Sequence, residues 1–429
     1  MGKNLEKLKN DYYSIAVLRG IGVVAIFIIH FYLYLMKTVY LNQVMTSGYF
    51  LVTITRLQGF LDVFFAISGF FVIESLKKSS IISFTIRRAS RILPIYFTFV
   101  FLQYIAMFFL YKDNTDFYYF LSKTFFHYLF FISNYLNGYD AVFVAHFWSF
   151  AIEEQFYVLS ILLFALLKSD ELRKKVLITA CIFFVFIRFN HVFNSDIIDF
   201  NALHKNTEYR ISSILIGCIA SYYIDFFKNK YILTAIVSLL MGSLLYSYFS
   251  IYTDCKYTTQ LGGFNGYEYA SLNSLLSFKP SCGIYGIMGL EGFSENFSFL
   301  RKTFIVFSPF LSAYLTCIAI AYKETLNVFF IKIFGFNKYI KFFVDKVSFS
   351  VLSLYVVHYF VLYIFRVFMV KYSLQSMNLF LMFLIYLVFT LVFGFLISYL
   401  FENLIYRFLC KFLYKKFSNY IETRSITPQ

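Results

Sequence analysis

Six side chains in this sequence pair ionisable chemistry with strongly apolar surroundings: Arg19, His30, Asp62, Arg88, Arg91 and Glu153. Arg19 and His30 are eleven residues apart, so on a helix they share one face about 16 Å apart along the axis. An imidazole near carboxylates suits general-base catalysis, because a carboxylate fixes the ring tautomer and stabilises the cation formed on taking a proton. The same pair equally suits a proton relay in a transporter. Arg88 and Arg91 share a face, and two guanidinium forks match phosphate oxygens bidentately.

Each residue also has a plainer reading. A membrane histidine can simply be packed with a bond to a backbone carbonyl, and Asp62 can be an interfacial acid reaching water. The arginines can serve topology and anionic lipid contact. The run "HFWSFAIEEQFYVL" is harder to explain away, because it places Glu153 and Glu154 inside an apolar helix. An acid at a helix centre in the bilayer costs about 2.5–3.5 kcal/mol. A favourable helix N-terminus returns only about 0.3–1 kcal/mol. Steps of three and four from Glu153 reach His146, Ser149, Tyr157 and Ser160, a polar face. The same steps from Glu154 reach Phe147, Phe150, Val158 and Ile161. Glu153 is therefore expected to face the interior near the depth of His30 and Asp62, and Glu154 to be an interfacial or helix contact. Trp148 is expected at the outer rim, as a membrane anchor or a sugar-stacking platform.

The elements that must position these groups are membrane helices. The 429 residues are 60% hydrophobic and 14% charged, with 61 Phe and 38 Tyr. Apolar runs of 18 or more residues recur along the chain, which excludes an ordinary soluble fold. The net charge of +15 sits in particular loops, as orientation signals do, and so does not point to nucleic acid. The six cysteines show no metal spacing, and no metal is expected. Lys77, Lys78, Arg87, Arg88 and Arg91 mark the strongest cytoplasmic loop.

Together these signals predict an all-α polytopic bundle of about ten spans with both termini cytoplasmic. Spans are expected near 14–36, 57–75, 92–111, 147–167, 176–193, 211–227, 231–251, 304–321, 347–369 and 379–400. The segment 117–135 is expected at the outer interface or as a re-entrant. Ser68 and Gly69 offer a small-residue surface for close helix contact. The outer loop 252–303 holds Cys255 and Cys282, as a disulfide or as two free thiols.

Several stretches, in order, resemble the acyltransferase family 3 membrane proteins. They are "LRGIGVVAIFIIH", "LDVFFAISGFF", "RRASRILPIYF" and "FWSFAIEEQFYVL", with weaker echoes in "YRISSILIGCIAS", "VSFSVLSLYVVHYFVL" and "SYLFENLIYRF". The resemblance implies O-acetylation of a glycan; a single domain over 1–429 is expected, without the SGNH-like hydrolase domain that some members of the family carry. It implies acetyl-CoA as cytosolic donor and a hydroxyl of O-antigen, capsule or lipid-linked oligosaccharide as acceptor, across a bacterial inner membrane. By that carry-over His30 is the essential histidine, and Arg19, Arg88 and Arg91 handle CoA. Asp62 or Glu153 is expected to orient His30, with Trp148, Ser149 and Tyr157 on the acceptor side. The "SLYVVHYF" element departs from the family pattern, which weakens the case for His358. The alternative is a proton-coupled exporter of a glycan or lipid intermediate, which would need no CoA site.

Overall fold

In the computed structural model, residues 12–38, 57–111, 115–136, 143–229, 291–293, 299–372 and 377–417 are described. The chain is an all-α polytopic helical bundle. Its long helices are α1 (Tyr13–Thr38), α2 (Gly59–Lys78), α3 (Ile81–Tyr111), α4 (Thr115–Leu129), α5 (Trp148–Leu166) and α6 (Asp170–Asn194). A short ribbon pairs β1 (Ile197–Asp199) antiparallel with β2 (Glu291–Phe293). Between these strands lie α7 (Phe200–Lys205) and α8 (Thr207–Tyr222). The C-terminal half contributes α9 (Phe299–Ala321), α10 (Lys323–Phe334), α11 (Lys338–Phe349), α12 (Val351–Lys371) and α13 (Leu379–Ser398). A π-helical turn, Tyr399–Ile405, then leads into α14 (Tyr406–Lys416).

Seven helices among the described residues are long and apolar enough to cross a membrane. They become eight if Ile305–Ala321 and Lys323–Phe334, bent by 84°, form one span. Of the ten expected spans, the one near 231–251 falls outside the described residues, as do Cys255 and Cys282. The one near 211–227 is α8, whose 16 residues are shorter than the roughly 20 of a straight crossing. Segment 117–135 forms α4 and a 3-10 turn, neither long enough to cross.

Two glycines set the central helix crossing. A Cβ at Gly69 would lie 2.1 Å from the Ile214 carbonyl oxygen, and one at Gly217 would lie 2.0 Å from that of Ala66. Helices α2 and α8 therefore meet backbone to backbone, as small residues permit where no hydrophobic effect drives association. The antiparallel packing of α1 on α2 places Tyr12 against Phe71, and Gly22 against Phe60 and Phe64. The basic loops meet at one end of the bundle. There Arg87 donates to Ser75, Ser79 and the Tyr414 hydroxyl, and Lys77 donates to the Ser221 carbonyl.

Candidate active site

The polar groups gather at two levels. The first is a cluster of histidines. α1 supplies His30 and α12 supplies His358, while the 3-10 turn Ala145–Phe147 ahead of α5 supplies His146. Close packing brings α12 to its neighbours: Phe27 of α1 stacks on His358 at 5.1 Å, and Gly394 lets α13 approach Leu354. Nδ1 of His30 lies 2.8 Å from Nε2 of His358, with the two rings within 13° of parallel. Nδ1 of His358 lies 2.5 Å from the carbonyl oxygen of Tyr355. The His146 ring centre is 4.5 Å from that of His358, and the ring lies parallel to Tyr359 at 4.9 Å. Tyr359 in turn meets His30 edge-on at 4.7 Å. His204 stands against Trp148, with ring centres 4.7 Å apart.

The second level is charged and lies toward the basic end. Arg19 of α1 feels the charges of Arg91, Glu153, Glu402 and Arg88. Tyr157 donates to Glu153 at 2.8 Å, and its hydroxyl is 3.2 Å from that of Ser68. The Arg88 guanidinium stands 5.2 Å over the Tyr157 ring, a cation–π contact. Arg91 pairs with Glu402 at 3.0 Å, and Glu402 also accepts from the Ser353 hydroxyl at 2.6 Å. The π-helical turn is what carries Glu402 to this place; such bulges re-aim a side chain without ending the helix. Arg88, Glu154 and Tyr157 border a cavity of about 590 Å³ between α3 and α5.

A family profile described as an acyltransferase domain matches residues 12–399. The chain belongs to acyltransferase family 3. No curated protein and no solved structure matches it. The chain is thus a membrane acyltransferase, and the matched span includes both levels of the site apart from Glu402.

Within this acyltransferase, Arg19, Arg88, Arg91 and Glu153 lie together, whereas a carboxylate on His30 is not found among the described residues. Asp62 instead pairs with Arg210 at 3.2 Å and accepts from Ser213 at 2.8 Å. The reason is helix register: with Gly22 opposite Phe60 and Phe64, Asp62 falls about 12 Å short of His30 along α1. Glu153 is turned toward the arginines, two turns from His146, which occupies the histidine level instead. Ser149 is engaged with the Tyr355 hydroxyl at 2.8 Å and the His146 carbonyl, so it braces the cluster. Trp148, at the N-terminal end of α5, is 6% exposed and packs on His204. Glu154 borders the cavity near Arg88.

His358, discounted from its sequence context, stands at the centre of the cluster and is 0% exposed. Its only signal was a histidine in mid-helix within "SLYVVHYF". Glu402, likewise missed, sits in the weaker echo "SYLFENLIYRF".

Among the described residues, no group of three His, Cys, Asp or Glu side chains has metal-holding geometry. The clustered imidazoles stack and tilt against one another, and do not aim three nitrogens at one point.

Proposed function

We propose that this acyltransferase moves an acetyl group from cytosolic acetyl-CoA to a hydroxyl of a surface glycan, such as O-antigen, capsule or a lipid-linked oligosaccharide. The supporting observation is the vertical arrangement of its two levels. One helix, α1, carries Arg19 in the charged level and His30 in the histidine level, about 16 Å apart along its axis. By the positive-inside rule the basic end faces the cytoplasm of a bacterial inner membrane. Arg19 and Arg88, neither in a salt bridge among the described residues, are the groups suited to the phosphates of CoA. The pantetheine arm then extends along α1 and presents the thioester to His30.

At that level His30 takes the proton of the acceptor hydroxyl as its oxygen adds to the thioester carbonyl carbon. The tetrahedral intermediate collapses with cleavage of the C–S bond. His30 returns the proton to the departing thiolate, leaving an acetyl ester and free CoA thiol. Purified protein given acetyl-CoA and an extracted surface glycan should release CoA, and surface glycans from cells lacking the gene should lose an acetyl mass. Unchanged glycan masses together with no CoA release would refute the assignment. An exporter would need no such donor site, and family membership favours the acyltransferase.

A further inference from the structure

A neutral imidazole has one nitrogen that donates and one that accepts, and the partner of one decides the state of the other. The Tyr355 carbonyl has no hydrogen to give, so Nδ1 of His358, 2.5 Å away, carries the proton. Nε2 of neutral His358 is then bare, and it lies 2.8 Å from Nδ1 of His30. Two bare nitrogens would repel at that distance, so Nδ1 of His30 carries the proton between them. The second nitrogen of His30, Nε2, is left with a free lone pair.

We infer that His358 is the positioning residue of this site: anchored on the Tyr355 carbonyl, it holds His30 as the Nδ1–H tautomer and leaves Nε2 as the reactive atom. The use of that atom as the base rests on the function proposed above; the tautomer does not. When Nε2 takes a proton, Nδ1–H continues to donate to His358, and no further proton has to move. Phe27, Tyr355, Tyr359 and His146 pack around the pair, and the Tyr386 hydroxyl reaches the His358 carbonyl at 3.4 Å. No carboxylate among the described residues contacts either ring. A backbone-anchored imidazole therefore does the orienting that a carboxylate does elsewhere, without burying a second charge in apolar surroundings.

The chain has six histidines, few enough for ring-¹⁵N-labelled histidine spectra of the full-length protein in lipid nanodiscs. His30→Gln identifies the His30 signals by difference. The expected result is a protonated Nδ1 and a bare Nε2 at His30, with Nδ1 hydrogen-bonded to Nε2 of His358. His358→Gln, whose amide oxygen can accept the same N–H, should keep this tautomer and stay within about tenfold of wild-type transfer. His358→Leu should lose the tautomer preference and slow transfer roughly 100-fold, within the span of general-base effects.

A neutral His30 protonated on Nε2 in the wild-type protein overturns the inference. So does a His358→Gln variant that melts like wild type yet is as slow as His358→Leu. If His358→Leu fails to fold, the wild-type spectrum and His358→Gln still decide. A spectrum as expected, in a protein that turns over no acetyl-CoA, upholds the tautomer and removes the proposed donor.

Discussion

Arg91 and Glu402, 311 residues apart in sequence, form an ion pair at 3.0 Å that ties α3 to the π-helical turn after α13. Ser353 of α12 holds the other carboxylate oxygen, so three elements meet at one acid. A charged hydrogen bond of this kind contributes about 1.5–3 kcal/mol. Glu402→Gln should free Arg91 and alter the charged level while leaving the histidines in place. The expected outcome is a KM for the acyl donor lowered severalfold with kcat little changed, because a freed guanidinium and one acid fewer favour the anionic donor; a kcat loss at unchanged KM would contradict this arrangement.

Asp62 and Arg210 are both nearly inaccessible, with side chains 4% and 6% exposed. Removing one partner of a buried pair strands the other charge, at a cost of about 3–5 kcal/mol. Asp62→Ala should therefore lower the melting temperature more than the double change Asp62→Ala with Arg210→Met. Activity per folded molecule should stay close to wild type, since Asp62 does not touch His30. A folded Asp62→Asn protein with no activity would return Asp62 to the catalytic role read from its sequence.

Gly69 and Gly217 leave no room for a methyl group against the facing carbonyl oxygens. Alanine at either must push α2 and α8 apart, which costs about 1–3 kcal/mol as overpacking. Melting curves in detergent should show each single variant destabilised. A variant as stable as wild type would mean that the two helices can separate freely.

His30→Ala should reduce transfer by roughly 10²–10⁴-fold, the usual contribution of a positioned acid–base group. Protein level and melting temperature should hold, and donor binding should persist because Arg19, Arg88 and Arg91 are untouched. Retained transfer would sink the mechanism.

Glu153 and Tyr157 stand among the arginines and are hydrogen-bonded to each other at 2.8 Å. Glu153→Gln and Tyr157→Phe are expected to act mainly on donor affinity, each changing KM by about tenfold or less. Loss of kcat at unchanged KM would instead place Glu153 beside the reacting atoms. Isothermal titration with CoA provides a check independent of turnover.

Membrane class, helices and most of the residues worth testing are legible in the order of residues along the chain. These are local properties: long apolar runs specify helices in lipid, and a polar residue inside such a run stands out at once. The periodicity around Glu153 and the eleven-residue spacing of Arg19 and His30 needed only the geometry of a single helix. Pairing between helices was beyond that reach. Depth along a single helix leaves either Asp62 or Glu153 free to orient His30, but α1–α2 register and the Gly69–Gly217 crossing place Asp62 with Arg210 and Ser213. The polar face of Glu153 follows from helix periodicity, but which polar group it meets depends on α1 and α3 beside it. Nothing local to "SLYVVHYF" marks His358 out, whereas its place beside His30 follows from the stacking of Phe27 and the carbonyl of Tyr355. Composition and periodicity determine which groups are buried in the membrane; only the tertiary packing of separate helices decides which of them hold each other.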